Sequence, residues 1–147
     1  GVIFSGAPAE YERAVVIFGE KAGVAFQLLD DVIDLGDADK TGKVPGTDLR
    51  AGVPTMPYLL LEQATDAASL DLRVRIDDGV LRIAAGADPQ ILDGEIAELR
   101  GHSATEQTKA LARQWSLEAI EAINVLPDGP VREGLTRFAQ AVADRSN

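Results

Sequence analysis

The sequence predicts an all-α protein. Apolar residues recur at helical spacing through several long stretches, and glycine and proline punctuate them. Only Leu72-x-Val74-x-Ile76 alternates as a strand does, and its surroundings are helical. The chain has 147 residues, enough for one domain with one core. Its formal net charge is −10, from 24 acids against 14 bases, which disfavours nucleic acid and anionic membrane surfaces as partners. Zero cysteines exclude a disulfide framework and thiolate metal sites. No apolar run reaches about 18 residues, so no membrane span is expected. No signal peptide is visible, and the expected compartment is the cytoplasm.

Taken in order, Gly1 to Gly6 reads as the end of an element, and Ser5-Gly6-Ala7-Pro8 as a turn. A helix from Ala9 to Leu35 follows, roughly 40 Å long at 1.5 Å per residue. Gly19 and Gly23 are expected to let a neighbouring helix approach closely. Residues 36–54 hold four glycines and two prolines and read as a long functional loop. Thr55 is expected to cap a short helix with Pro57 in its first turn, ending near Thr65. Over Leu70 to Ala87, Asp77-Asp78-Gly79 predicts a turn between two short helical pieces. Asp88-Pro89 opens a helix that Gly101 stops. Ser103-x-x-Glu106 reads as a capping box for a helix to about Asn124, with Trp115 on its apolar stripe. His102, alone at this junction, is expected to cap or face solvent rather than bind a metal. The last helix runs from Val131 to Ala143, with Leu135, Phe138, Ala139 and Val142 inward.

The run Phe26-Gln27-Leu28-Leu29-Asp30-Asp31-Val32-Ile33-Asp34 asks for chemistry. On a helix, Gln27, Asp30, Asp31 and Asp34 are three and four apart and share a face. At about 6 Å and an effective dielectric near 20, each acid pair costs roughly 3 kcal/mol. Protonation relieves this, and so does a cation. A row of oxygen ligands suits Mg²⁺, which often shares its shell with substrate phosphates. A helix end with solvated acids is the alternative.

The neighbouring residues decide between them. After the acids come Thr41-Gly42-Lys43-x-x-Gly46-x-Asp48-Leu49, then Gly52 and Thr55-Met56-Pro57. This order resembles the second aspartate-rich region of the trans-isoprenyl diphosphate synthases, the polyprenyl synthases. The specific part covers residues 23 to 57. One departure is Val53, where the family often has Lys. Another is that the family's first aspartate-rich motif and its isopentenyl diphosphate anchors are not in this sequence.

The resemblance implies a helical bundle of the isoprenoid synthase type, with residues 1–147 as the C-terminal part of a single domain whose N-terminal half is missing here. It implies a Mg²⁺-dependent prenyltransferase that condenses isopentenyl diphosphate with an allylic diphosphate. Asp30, Asp31 and Asp34 would hold Mg²⁺, Lys43 would contact the diphosphate, and Gln27 would lie near the allylic substrate. A homodimer is expected of the whole enzyme, and no turnover of this chain alone. A non-catalytic relative or subunit of a polyprenyl synthase is the alternative. A third possibility occupies the loop itself. Asp37-x-Asp39-x-Thr41-Gly42-x₅-Asp48 matches a calcium loop in outline, but Pro45, Gly46, Gly52 and Pro54 oppose its exit helix.

Overall fold

The computed structural model describes residues 6–36 and 44–144. Gly1 to Ser5, Lys43 and most of the calcium-like loop lie outside the described residues. Among the described residues every regular element is helical. These are α1 (Ala9–Asp34), α2 (Thr47–Arg50), α3 (Met56–Glu62), α4 (Ala67–Ala84), a 3-10 turn (Pro89–Leu92), α5 (Asp93–Arg100), α6 (Ser103–Ala122) and α7 (Pro130–Asp144). They form two compact units, residues 1–29 with 110–147, and residues 30–109.

In the first unit the apolar spacing of α1, α6 and α7 builds two small clusters. Phe18 and Ala22 meet Ala119, Ile123 and Ala139, while Ala25 and Leu29 meet Ala112 and Val142. Lys21 bonds Glu118 at 2.5 Å and lies 4.7 Å from the centre of the Trp115 ring. Two expectations are corrected here. Phe138 is 53% exposed, not inward. Among the described residues nothing packs on Gly19 or Gly23, where a Cβ would meet no atom within 4 Å. Val16, Val24 and Phe26 also remain exposed along α1.

The second unit has the larger core. Leu35, Leu49, Leu61, Leu72, Ile76 and Leu99 are among its fully buried members. Each such side chain contributes about 1.5–3 kcal/mol on leaving water. The expected turn at Asp77-Asp78-Gly79 is corrected, because α4 runs unbroken through it. Two tertiary contacts explain why. Asp77 accepts the Tyr58 hydroxyl at 2.5 Å, and Gly79 is buried under Leu92, whose Cδ2 would stand 2.3 Å from a Cβ there. The expected helix from Asp88 starts instead as the 3-10 turn before α5, with Asp88 taking the Gln90 amide at 2.9 Å. The 36–54 loop is not structureless, since α2 makes a single turn within it, too short for a calcium-loop exit helix.

The cap of α6 is corrected too. His102 Nδ1 accepts the Ala104 amide at 3.1 Å, so the residue before Ser103 caps the helix, which already begins at Ser103. Glu106 instead meets Lys109 at 2.7 Å. The His102 Nε2 lies 3.0 Å from Ser69 Oγ, which donates to Asp66, the N-cap of α4, at 2.6 Å. His102 is thus a cap, as its position between helices implied.

Candidate active site

The acids end α1, and the strip that follows turns back onto them. Gly46 makes this turn with φ 67°, a left-handed conformation suited to glycine. Its amide donates to the Asp34 main-chain oxygen at 2.6 Å. The Asp48 amide donates to Asp34 Oδ2 at 3.2 Å. Farther on, the Met56 amide donates to Asp31 Oδ2 at 2.7 Å. Asp31 therefore caps α3 from another helix. Thr55 stands at the N-cap position but makes no side-chain cap, which corrects the sequence expectation. Its hydroxyl is buried and has no hydrogen-bond partner among the described residues.

Asp31 and Asp34 are half-buried, and Asp30 is exposed. Burial pushes the Asp31 carboxyl above the ordinary carboxylate range. The Met56 amide pulls the other way, while Asp48 and Asp30 push further up by repulsion. Asp34 is raised by burial as well. The Asp48 amide lowers it, and the Asp48 and Asp30 charges raise it. Asp30 makes no side-chain hydrogen bond among the described residues and faces solvent. Gln27 is exposed on α1 one turn before Asp31. The structure thus brings Asp31, Asp34 and Asp48 together and leaves Asp30 and Gln27 open.

Two participants were missed in the sequence. Asp48 was part of the motif but not singled out, although its amide and its charge both act on Asp34. Arg50, 8% exposed, donates to the Pro45 oxygen at 2.9 Å, to the Pro89 oxygen, and to Asp93 at 2.5 Å. Its spacing in sequence carries no signal of these partners, 39 and 43 residues away.

Among the described residues no three acids or histidines close into a cage that holds a metal by themselves. The donor set is nonetheless oxygen-only, crowded and partly open, and burial and mutual repulsion disfavour the charged form of two of its carboxyls. That fits a cation such as Mg²⁺, which takes one or two carboxylates and fills its shell with water and substrate oxygens.

The polyprenyl synthetase family matches residues 1–79. Over 99% of its length the chain is 33% identical to a nonaprenyl diphosphate synthase of Mycobacterium tuberculosis, of which it spans 42%. Over 97% of its length it is 32% identical to an octaprenyl diphosphate synthase of Escherichia coli, of which it spans 43%. The crystal structure of a decaprenyl diphosphate synthase from Rhodobacter capsulatus superposes with TM-score 0.79 at 30% identity, over 99% of this chain and 44% of that one. The chain thus spans under half the length of the relatives it matches. None of its described helices is long and apolar enough to cross a membrane.

Proposed function

The chain belongs to the polyprenyl synthetase family, with its all-α isoprenoid synthase fold, and from that premise we propose that it carries one side of a prenyl-transfer site. The reaction joins isopentenyl diphosphate to an allylic diphosphate. The allylic C–O bond breaks and leaves an allylic cation, isopentenyl diphosphate attacks it, and a proton is then lost. One observation carries this proposal. Asp30, Asp31 and Asp34 crowd the C-terminal end of α1, where the helix dipole already disfavours anions, and α1 has no base in its last turn. Such an arrangement lowers stability, and local conflict of this kind marks functional sites.

The residues have different parts. Asp31 and Asp34 are oriented by the Met56 and Asp48 amides, so their remaining oxygens face a fixed direction. Asp30 stays free of such bonds and would reach a cation most directly. Together the three would hold Mg²⁺, which supplies positive charge against the departing diphosphate when bound. Lys43 would add a charged contact to that diphosphate, and Gln27 would stand near the allylic end. A whole enzyme of this kind would also require the residues its relatives have beyond this span, and would act as a homodimer in the cytoplasm.

The test is a steady-state prenyl-transfer assay with a Mg²⁺ titration, on the enzyme that contains this chain. Asp30→Ala should lower turnover more than Asp34→Ala at limiting Mg²⁺, and wild-type activity in Asp30→Ala refutes the assignment. Lys43→Gln removes a charge-assisted hydrogen bond worth roughly 1.5–3 kcal/mol, so turnover should fall about 10- to 150-fold. An unchanged rate there makes Lys43 a surface residue.

A further inference from the structure

The last five residues of α1 carry three acids and its last turn has no base, so positive charge must come from elsewhere in the fold. One arginine brings it to the helix end, and a second holds the adjoining backbone. Arg100 ends α5 and donates Nε to the Leu35 main-chain oxygen at 2.6 Å, just beyond the end of α1. A cation on the last carbonyls of a helix is favourable. Arg50 ends α2 and does not point at the acids. Each of its three nitrogens is committed: Nε to the Pro45 oxygen, one Nη to the Pro89 oxygen, the other to Asp93.

We infer that Arg50 and Arg100 are positioning residues for the acid row, a clamp that works on the two pieces of backbone around Asp34. The inference rests on the prenyl-transfer site proposed above. Arg100 holds the end of α1. Arg50 holds the strip at residues 45–50, whose Gly46 and Asp48 amides bond Asp34. That strip is gripped from two directions. Asp34 takes one side of it. On the other, Gly46 packs so tightly on Ile96 of α5 that a Cβ would come within 2.5 Å of Ile96 Cδ1. Arg50 adds the polar half of this second grip, tying Pro45 to the 3-10 turn and to α5. Three acceptors on three separate residues match a planar guanidinium and not the single ammonium of lysine.

Amide hydrogen exchange and prenyl-transfer kinetics on Arg50→Met, Arg50→Lys and Arg100→Met test the clamp. Without Arg50 the Gly46 and Asp48 amides should exchange roughly 10- to 100-fold faster, and lysine should not restore them. Arg100→Met should speed the Gly46 amide. The Ile76 amide, in the middle of α4, should not change in any variant. The kcat should fall about tenfold with the KM for the allylic diphosphate kept within about threefold, because the acids remain but hold the charge opposite the departing diphosphate less well. Equal loss of protection at Ile76 overturns the inference, since the arginines then serve stability alone. Unchanged exchange at Gly46 and Asp48 overturns it as well. If Arg50→Met does not fold, Asp93→Ala removes one partner of Arg50 at a site 65% exposed and should give the same pattern, smaller. Faster exchange in the variants of a protein that shows no prenyl transfer at all keeps the clamp and defeats the catalytic proposal.

Discussion

Asp34 shows how one residue is drawn in two directions. Its carboxylate accepts the Asp48 amide, which favours the charged form, yet burial and the Asp48 and Asp30 charges favour the neutral one. The net shift is upward for Asp34 and for Asp31. A carboxyl whose pKa is higher folded than unfolded binds its proton more tightly in the folded state. Its contribution to stability is then fully present at low pH, and it is lost as pH rises through the raised folded value. Asp34→Asn should therefore melt at a higher temperature than the wild type at pH 7, since the amide oxygen still accepts the Asp48 N–H. That advantage should vanish below the ordinary carboxylate range, where the wild type is also neutral. Calorimetric scans of both proteins across that range check it. A lower melting temperature for Asp34→Asn at pH 7, in the absence of metal, means the hydrogen bond outweighs the repulsion. The acids themselves were legible in the sequence, because three carboxylates in an apolar run conflict with their setting. Arg50 was not, because two of its three partners lie far along the chain.

At the scale of the element, α4 is instructive. Gly79 sits mid-helix, where Ala is ordinarily better by about 1 kcal/mol. Here a Cβ would stand 2.3 Å from Leu92 Cδ2, and Leu92 is itself 1% exposed with little room to move. Overpacking of this kind costs about 1–3 kcal/mol. Gly79→Ala should therefore be net neutral to destabilising by about 2 kcal/mol in urea unfolding, with the midpoint lowered. A raised midpoint shows that Leu92 yields freely. The same contact explains why the turn expected at Asp77-Asp78-Gly79 does not form, since packing from Leu92 and a hydrogen bond from Tyr58 override the local signal. The long helices α1, α6 and α7 were legible because their apolar spacing is sustained over many turns. Their caps were less so. The cap of α3 comes from Asp31, 25 residues back, and that of α6 from the ring of His102 rather than from Ser103. Local sequence names a residue able to cap but does not say which group arrives first.

For the molecule as a whole, the decisive feature is how much apolar surface the first unit leaves outside. Val16 is 53% exposed on α1, Leu117 is 67% exposed on α6, and Val131 and Phe138 are 69% and 53% exposed on α7. Val24 and Phe26 add to α1. Exposed apolar side chains thus stand on all three helices of this unit. The relatives are more than twice as long as the span matched here, so further chain is available in such enzymes to cover these faces. The 147 residues alone should therefore self-associate, with a sedimentation coefficient that rises with concentration. Phe138→Glu and Val16→Lys together should shift the distribution toward monomer, because a charge on an apolar contact must be desolvated unpaired. The same polypeptide should show no prenyl transfer above blank. In the proposed reading its acids offer one side of a cation site, and positioning from one side forfeits much of the advantage of holding the reacting groups in place. A compact monomer at all concentrations removes the argument from exposed surface. Turnover by the isolated chain removes the argument from the one-sided site.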